Sequence, residues 1–190
     1  MTRQTDPRIV RTTHALEQAI VELAVQRPVS QITVADLAEL AGITRATFYN
    51  RFNSPLELLI HVLNADLEAG ERLKEARRAD GEHTARQVLR LTITDVADHV
   101  ERFLPVYQHA LHDPADEGVY GALVRCFIAR SMAVITRSAP PALPRATHPI
   151  MAELFAHGFT GAIKGWLSDG SVTKADLIEA AVACAPDWWN

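Results

Sequence analysis

The stretch Ile32-Thr33-Val34-Ala35-Asp36-Leu37-Ala38, continued by Ala41-Gly42-Ile43 and Thr44-Arg45-Ala46-Thr47-Phe48-Tyr49-Asn50-Arg51-Phe52, decides the fold. Thr33 opens a short helix running to about Leu40, because its hydroxyl can cap free backbone N–H groups and Asp36 completes a capping-box pattern. Gly42 supplies the left-handed conformation that a tight turn between two helices requires. A third helix is predicted from Thr44 to Arg51, with Phe48 and Phe52 turned inward beside Ile43 and a slim polar face turned outward. Helix, tight turn and polar-faced helix make a helix-turn-helix, whose second helix fits the major groove of B-form DNA.

The outward face names the candidate DNA contacts. Arg45 sits in the first turn, where a guanidinium can reach guanine O6 and N7 together. Thr44 and Thr47 suit phosphates or a thymine methyl, and Tyr49 and Arg51 suit phosphate, which sets register without reading sequence. Thr33 and Asn50 complete the set. For each residue the plain alternative is a helix cap or a solvated surface side chain.

Working outward, Ile9, Thr13, Leu16, Ile20 and Leu23 recur at helical spacing between Pro7 and the break at Arg27-Pro28. Ser54, Pro55 and Glu57 start a fourth helix that carries Leu56, Ile60, Leu63 and Leu67 to about Ala79. Asp80-Gly81 is a turn. Leu89, Ile93, Val96, Val100 and Phe103 form the next seam, and Pro105 starts a short helix to His112. After the break at Asp113-Pro114, a helix spans about Ala115 to Arg137. Pro140, Pro141, Pro144 and Pro149 mark residues 138–149 as a surface loop. The last two helices run from about Ile150 to Leu167 and from Lys174, capped by Thr173 and Asp176, to Ala183. The Asp187-Trp188-Trp189-Asn190 tail is left open between docking and fraying. The fold class is all-α with about nine helices: a three-helix head, residues 1–53, followed by a helical domain, residues 54–190.

Composition limits the remaining possibilities. The chain has 190 residues, is 48% hydrophobic and carries a formal charge of −4, which argues weakly against nucleic acid. Residues 1–52, however, hold six Arg against five acids, so the head is close to neutral and must place its few arginines well. No run of about 18 apolar residues suggests a membrane span. The polar N-terminus lacks a signal core, so a cytoplasmic location is expected. Cys126 and Cys184 read as buried thiols. His109 and His112 are three apart but lack a third ligand, so neither a metal nor a cofactor is expected. No nucleophile elbow or phosphate loop points to an enzyme.

The quoted stretch, together with Leu56-Glu57-Leu58-Leu59, resembles the TetR family of transcriptional repressors over residues 8–62. The resemblance implies a homodimer on a double-stranded operator with two-fold pseudo-symmetry, and a C-terminal domain that binds a small-molecule effector. It also implies pairing of the last two helices across the two-fold axis. Gly158, Ala162, Trp166 and Leu177 are the candidates there, beside the small residues Gly161 and Gly165. The apolar seam Phe103, Tyr107, Phe127, Met132, Phe155 and Phe159 is the candidate effector lining, with ordinary core packing as the alternative. Two positions depart from the family: Pro55 stands where a phosphate-holding lysine is common, and Ala46 where glycine is. Backbone amides at the start of the fourth helix remain an alternative anion site. A protein-interaction module and a helical-bundle enzyme are the competing function classes.

Overall fold

The computed structural model describes residues 7–79, 85–138 and 142–189, and among these every regular element is helical. Among the described residues there are nine α-helices: α1 (Pro7–Gln26), α2 (Val34–Leu40), α3 (Arg45–Tyr49), α4 (Pro55–Ala79), α5 (Ala85–Arg102), α6 (Leu104–His112), α7 (Glu117–Ser138), α8 (His148–Ser168) and α9 (Lys174–Ala183). Short 3₁₀ turns stand at Val29–Gln31, Pro114–Asp116, Arg145–Thr147 and Asp187–Trp189. The all-α expectation holds. The predicted turn at Asp80-Gly81 and the prolines Pro140 and Pro141 lie outside the described residues.

The chain forms two compact units, and neither is continuous in sequence. The first comprises Met1–Leu63 with Phe103–Val119, the second Asn64–Arg102 with Tyr120–Asn190. A cut at residue 53 therefore does not describe the packing. The start of α4 buries Leu58, Leu59 and Leu63 completely, and the segment 103–119 adds α6, which packs on α1.

In the first unit, burial follows the expected stripes. Leu16 and Ile20 of α1, Leu37 of α2, Phe48 of α3 and Tyr107 of α6 have no exposed surface. Ile9, at the head of the α1 stripe, is 41% exposed, so the stripe begins at Leu16.

In the second unit, Leu89 and Ile93 of α5, Ile135 of α7, Ala152 of α8 and Ala181 and Val182 of α9 form one cluster. Trp188 packs against it, so the tail docks through that ring. Arg90 and Glu179 pair between α5 and α9, and Lys174 binds Asp98 and Glu101. Pro149 was expected in the connector. It lies instead in the first turn of α8, where its missing N–H costs nothing. Pro114–Arg137 is long and apolar enough, by length and composition only, to cross a membrane, although no unbroken apolar run of that length occurs in it. Ala122, Leu123, Phe127 and Ile135 of α7 are buried inside the protein, which is the use a core helix makes of such residues. Cys126 is half-buried and Cys184, at the C-cap of α9, is exposed, so the expectation of two buried thiols fails.

One buried polar group in the second unit makes stability depend on pH. His99 of α5 is 1% exposed, and its Nδ1 donates to Asp66 Oδ2 of α4 at 2.7 Å. Arg102 Nη2 donates to the same oxygen at 2.6 Å. Burial pushes the His99 imidazolium below its ordinary value of 6.5, against the pull of Asp66. Burial also opposes ionisation of Asp66, but bonds from Arg102 and His99 outweigh it and hold the carboxyl below 3.8. Both groups take up protons more readily when unfolded, so their contribution is complete above the ordinary histidine value and declines as pH falls. The urea midpoint is expected to drop between about pH 7.5 and about pH 5.5, and less so in His99→Gln. Tryptophan fluorescence checks this, and a midpoint equally flat in both proteins would contradict it.

Candidate nucleic-acid interface

The site is a stack of helix ends in the first unit. Thr33 caps α2: its Oγ1 accepts from Asp36 N at 3.2 Å, while Asp36 Oδ2 accepts from Thr33 N at 3.0 Å. The Asp36 carboxyl is held below its usual range, first by the Thr33 backbone bond and further by the Thr33 hydroxyl and Arg27. Arg27 Nη2 reaches the same oxygen at 2.7 Å, tying the end of α1 to the start of α2.

Gly42 then turns the chain at φ +65°, the one positive-φ position among the described residues. Ile43 N donates to Ala38 O at 2.9 Å and Gly42 N to Glu39 O at 3.2 Å. This pair of bonds defines a Schellman motif and satisfies carbonyls that the end of α2 would leave open.

Thr44 caps α3, which is shorter than predicted because Thr44 is the cap and Asn50 and Arg51 lie past the last helical residue. Thr44 Oγ1 accepts from Thr47 N at 3.1 Å and lies 2.9 Å from Thr47 Oγ1. The two hydroxyls thus share one bond, which leaves one hydroxyl proton of the pair for an outside acceptor. Phe48 has no exposed surface and anchors the helix from within. The rings of Phe48 and Tyr49 meet edge to face at 5.6 Å, with Tyr49 59% exposed. Thr44, Arg45, Ala46, Tyr49 and Asn50 are all exposed, and Thr47 is half-buried. The predicted polar face is therefore an exposed surface on a five-residue helix.

Two expected contacts read differently in three dimensions. Arg51 Nη1 donates to Thr13 Oγ1 of α1 at 2.9 Å in a partly buried position. The chain has left α3 by then, so the guanidinium ties the helix end to α1 instead of standing with Arg45. The start of α4 is already capped: Ser54 Oγ accepts from Glu57 N at 3.1 Å, and Glu57 Oε2 accepts from Asn53 N and Nδ2, both at 2.8 Å. The Glu57 carboxylate is held in its charged form by the Asn53 backbone and side chain, just ahead of the helix. Of the backbone amides at the start of α4, Glu57 N is therefore already taken.

The candidate effector residues do not converge. Phe127 and Phe159, with Ile93, Val96, Ile163 and Leu177, line an apolar cavity of about 20 Å³ in the second unit. Phe155 stacks on Phe159 at 6.3 Å, and Met132 packs on the adjoining core cluster. Phe103 and Tyr107 belong to the first unit, where Tyr107 is fully buried. Seam spacing could not show that the chain changes unit after Arg102. A cavity of this size has room for about one water-sized molecule.

The dimer candidates also divide. Gly158 is exposed, and a Cβ at Gly158, Gly161 or Gly165 would meet nothing within 4 Å. Ile150 and Leu154, at helical spacing beside them, are each 70% exposed. Trp166 is half-buried. Ala162 and Leu177 line the small cavity, so they face their own unit. His109 Nε2 and His112 Nδ1 lie 3.3 and 2.9 Å from the carbonyls of Val25 and Gln108.

A helical protein whose first unit carries a capped helix-turn-helix with an exposed polar second helix falls in the class of helix-turn-helix proteins. Residues 17–62 match the family model described as bacterial regulatory proteins, tetR family. Over those residues the chain is similar to that family. It is 33% identical over 82 residues to the HTH-type transcriptional regulator TtgR of Pseudomonas putida, covering 43% of this chain and 39% of the relative. The chain thus spans well under half the length of that relative. The fold is similar to NalD, described as the secondary repressor of the MexAB-OprM multidrug efflux pump in Pseudomonas aeruginosa. The TM-score is 0.62 and the identity 20%, over 93% of this chain and 96% of that one. It is also similar to the dihydroxyacetone kinase operon activator DhaS, with a TM-score of 0.59 and 14% identity over 90% and 92% of the two chains.

Proposed function

We propose that this protein is a DNA-binding transcriptional regulator that acts by binding and release, without turnover. The observation that carries the reading is the exposed face of α3, with Arg45, Tyr49 and Asn50 presented on a helix pinned by a wholly buried Phe48. Thr44 and Thr47 add one hydroxyl donor to that face, and Thr33 stands exposed at the start of α2. Two copies would set two such helices in successive major grooves, ~34–36 Å apart, on a pseudo-palindromic operator.

The unpartnered α8 face of Ile150, Leu154, Gly158 and Gly161 supports homodimerisation, since small residues let helices approach closely. Functionally, the side chains that contact DNA lie in residues 1–53, and the effector and the second copy bind within residues 54–190. The effector site is the apolar cavity at Phe127 and Phe159. It must open by displacing those rings, so ligand binding and a change of shape are one event, and the ligand acts through its preference for the opened state. Repression is the family's usual outcome, and the protein works in the cytoplasm, where its operator is.

The test is binding of the full chain to a duplex selected from a random DNA library. Affinity is expected to fall with salt with a log–log slope of about −0.9 per phosphate contacted. Arg45→Ala should lose about 1–3 kcal/mol of discrimination at one base pair of each half-site. Unchanged discrimination would remove Arg45 as a base reader, and failure to select any duplex would remove the DNA reading.

A further inference from the structure

The link between α1 and α2 is held by side chains that come from more than eighty residues away. Asp116 is 1% exposed, and its Oδ2 and Oδ1 accept from Val29 N and Ser30 N, each at 2.8 Å. Asp113 Oδ2 accepts from Ser30 Oγ at 2.7 Å, and its carboxyl is kept below its usual range first by that bond and then by Ala115 N. The same segment brings His109 Nε2 within 3.3 Å of Val25 O. All of these groups lie in the first unit.

The chemistry of this clasp is demanding. Pro28 supplies no N–H, so Val29 and Ser30 carry the first free amides of the turn that leads into Thr33 and α2. Asp116 forms no ion pair among the described residues, and a buried carboxylate is tolerated only where hydrogen bonds replace its water. Here two backbone amides, one on each oxygen, do so. The arrangement therefore fixes the carboxylate and the turn relative to each other at two points, which a single bond could not.

We propose that Asp116 is a positioning residue of the DNA-reading head: its two-point grip on Val29 and Ser30 sets the course on which α2, and with it α3, leaves α1. The inference rests on the DNA-binding reading above and adds to it that residues 103–119 are part of the head. Asp116 touches no DNA. It acts through the turn.

The test uses the full chain, the duplex selected by the wild-type protein, and a temperature at which circular dichroism shows each variant folded. Asp116→Asn keeps the size but turns an amide group toward one of the two N–H donors. It should bind the duplex about tenfold or more weakly, with an unchanged salt slope because no phosphate contact is lost. Amide exchange over residues 29–40 should speed up in the same variant. Ser30→Ala, which removes only the exposed bond to Asp113, should weaken binding about twofold to threefold. A purely structural role would lower the melting temperature and leave affinity and exchange at 29–40 unchanged in the folded protein, and that result overturns the proposal. If Asp116→Asn does not fold, wild-type affinity in Ser30→Ala overturns it. If the wild-type protein selects no duplex, the DNA reading falls, while the exchange measurement still decides whether Asp116 holds residues 29–40.

Discussion

Phe48→Ala is expected to destabilise the first unit by about 3–5 kcal/mol, the usual cost of emptying a fully buried aromatic site. The ring has no exposed surface and meets two other aromatic rings, Tyr49 edge-on at 5.6 Å and Phe52 at 6.1 Å. Phe52 in turn meets the His61 ring of α4 at 5.5 Å. Removing Phe48 therefore unpins α3 from the core and loosens its contact with α4. A helix of five residues, Arg45–Tyr49, has no stability of its own, since isolated helices need about 12–15 residues to persist. DNA affinity should consequently vanish before the protein as a whole unfolds.

The measurement must see the right unit. All three tryptophans, Trp166, Trp188 and Trp189, belong to the second unit, so their fluorescence would report little. Amide exchange over residues 33–52, or urea unfolding followed by far-ultraviolet dichroism, reads the first. A loss below about 1 kcal/mol would show that Phe48 is not the anchor.

Gly42→Val comes next in size, and the cause is of another kind. A Cβ at this position would meet nothing within 4 Å, so no clash contributes. The backbone at φ +65° is what a side chain resists, at about 1–2 kcal/mol for an ordinary residue and more for a β-branched one. Asn, Ala and Val should therefore cost increasing amounts in that order, because Asn tolerates this conformation best. If the chain instead relaxes to negative φ, the bonds from Ile43 N to Ala38 O and from Gly42 N to Glu39 O are lost, and α3 is re-aimed. Each variant is measured by urea unfolding and by affinity for the selected duplex. Equal stability for Gly, Asn, Ala and Val would contradict the turn.

These two positions show what a local reading can reach. Capping at Thr33 and Thr173, the turn at Gly42, the inward Phe48 and the bounds of α9 all depend on residues within one or two turns of each other, and each was legible from spacing. The same holds for the polar face of α3. Where the outcome depended on a partner remote in sequence, local pattern carried no signal. Arg51 looked like another outward cation until α1 brought Thr13 to it. Asp113-Pro114 read as a helix break and Asp116 as part of the helix after it, and only folding sets the carboxylates of Asp113 and Asp116 on Val29 and Ser30. The aromatic seam from Phe103 to Phe159 read as one lining because periodicity records which face of a helix is apolar, not which core that face enters.

The amino-acid sequence by itself determined the helices, the inter-helix turn and the surface offered by α3, since caps, positive φ and amphipathic spacing are short-range properties of the chain. Tertiary structure alone decided that residues 103–119 join the first unit, that the apolar cavity is small, and that Ala162 and Leu177 face inward. Those outcomes depend on which distant segments share buried volume and which buried polar groups find partners, and neither is written in local spacing.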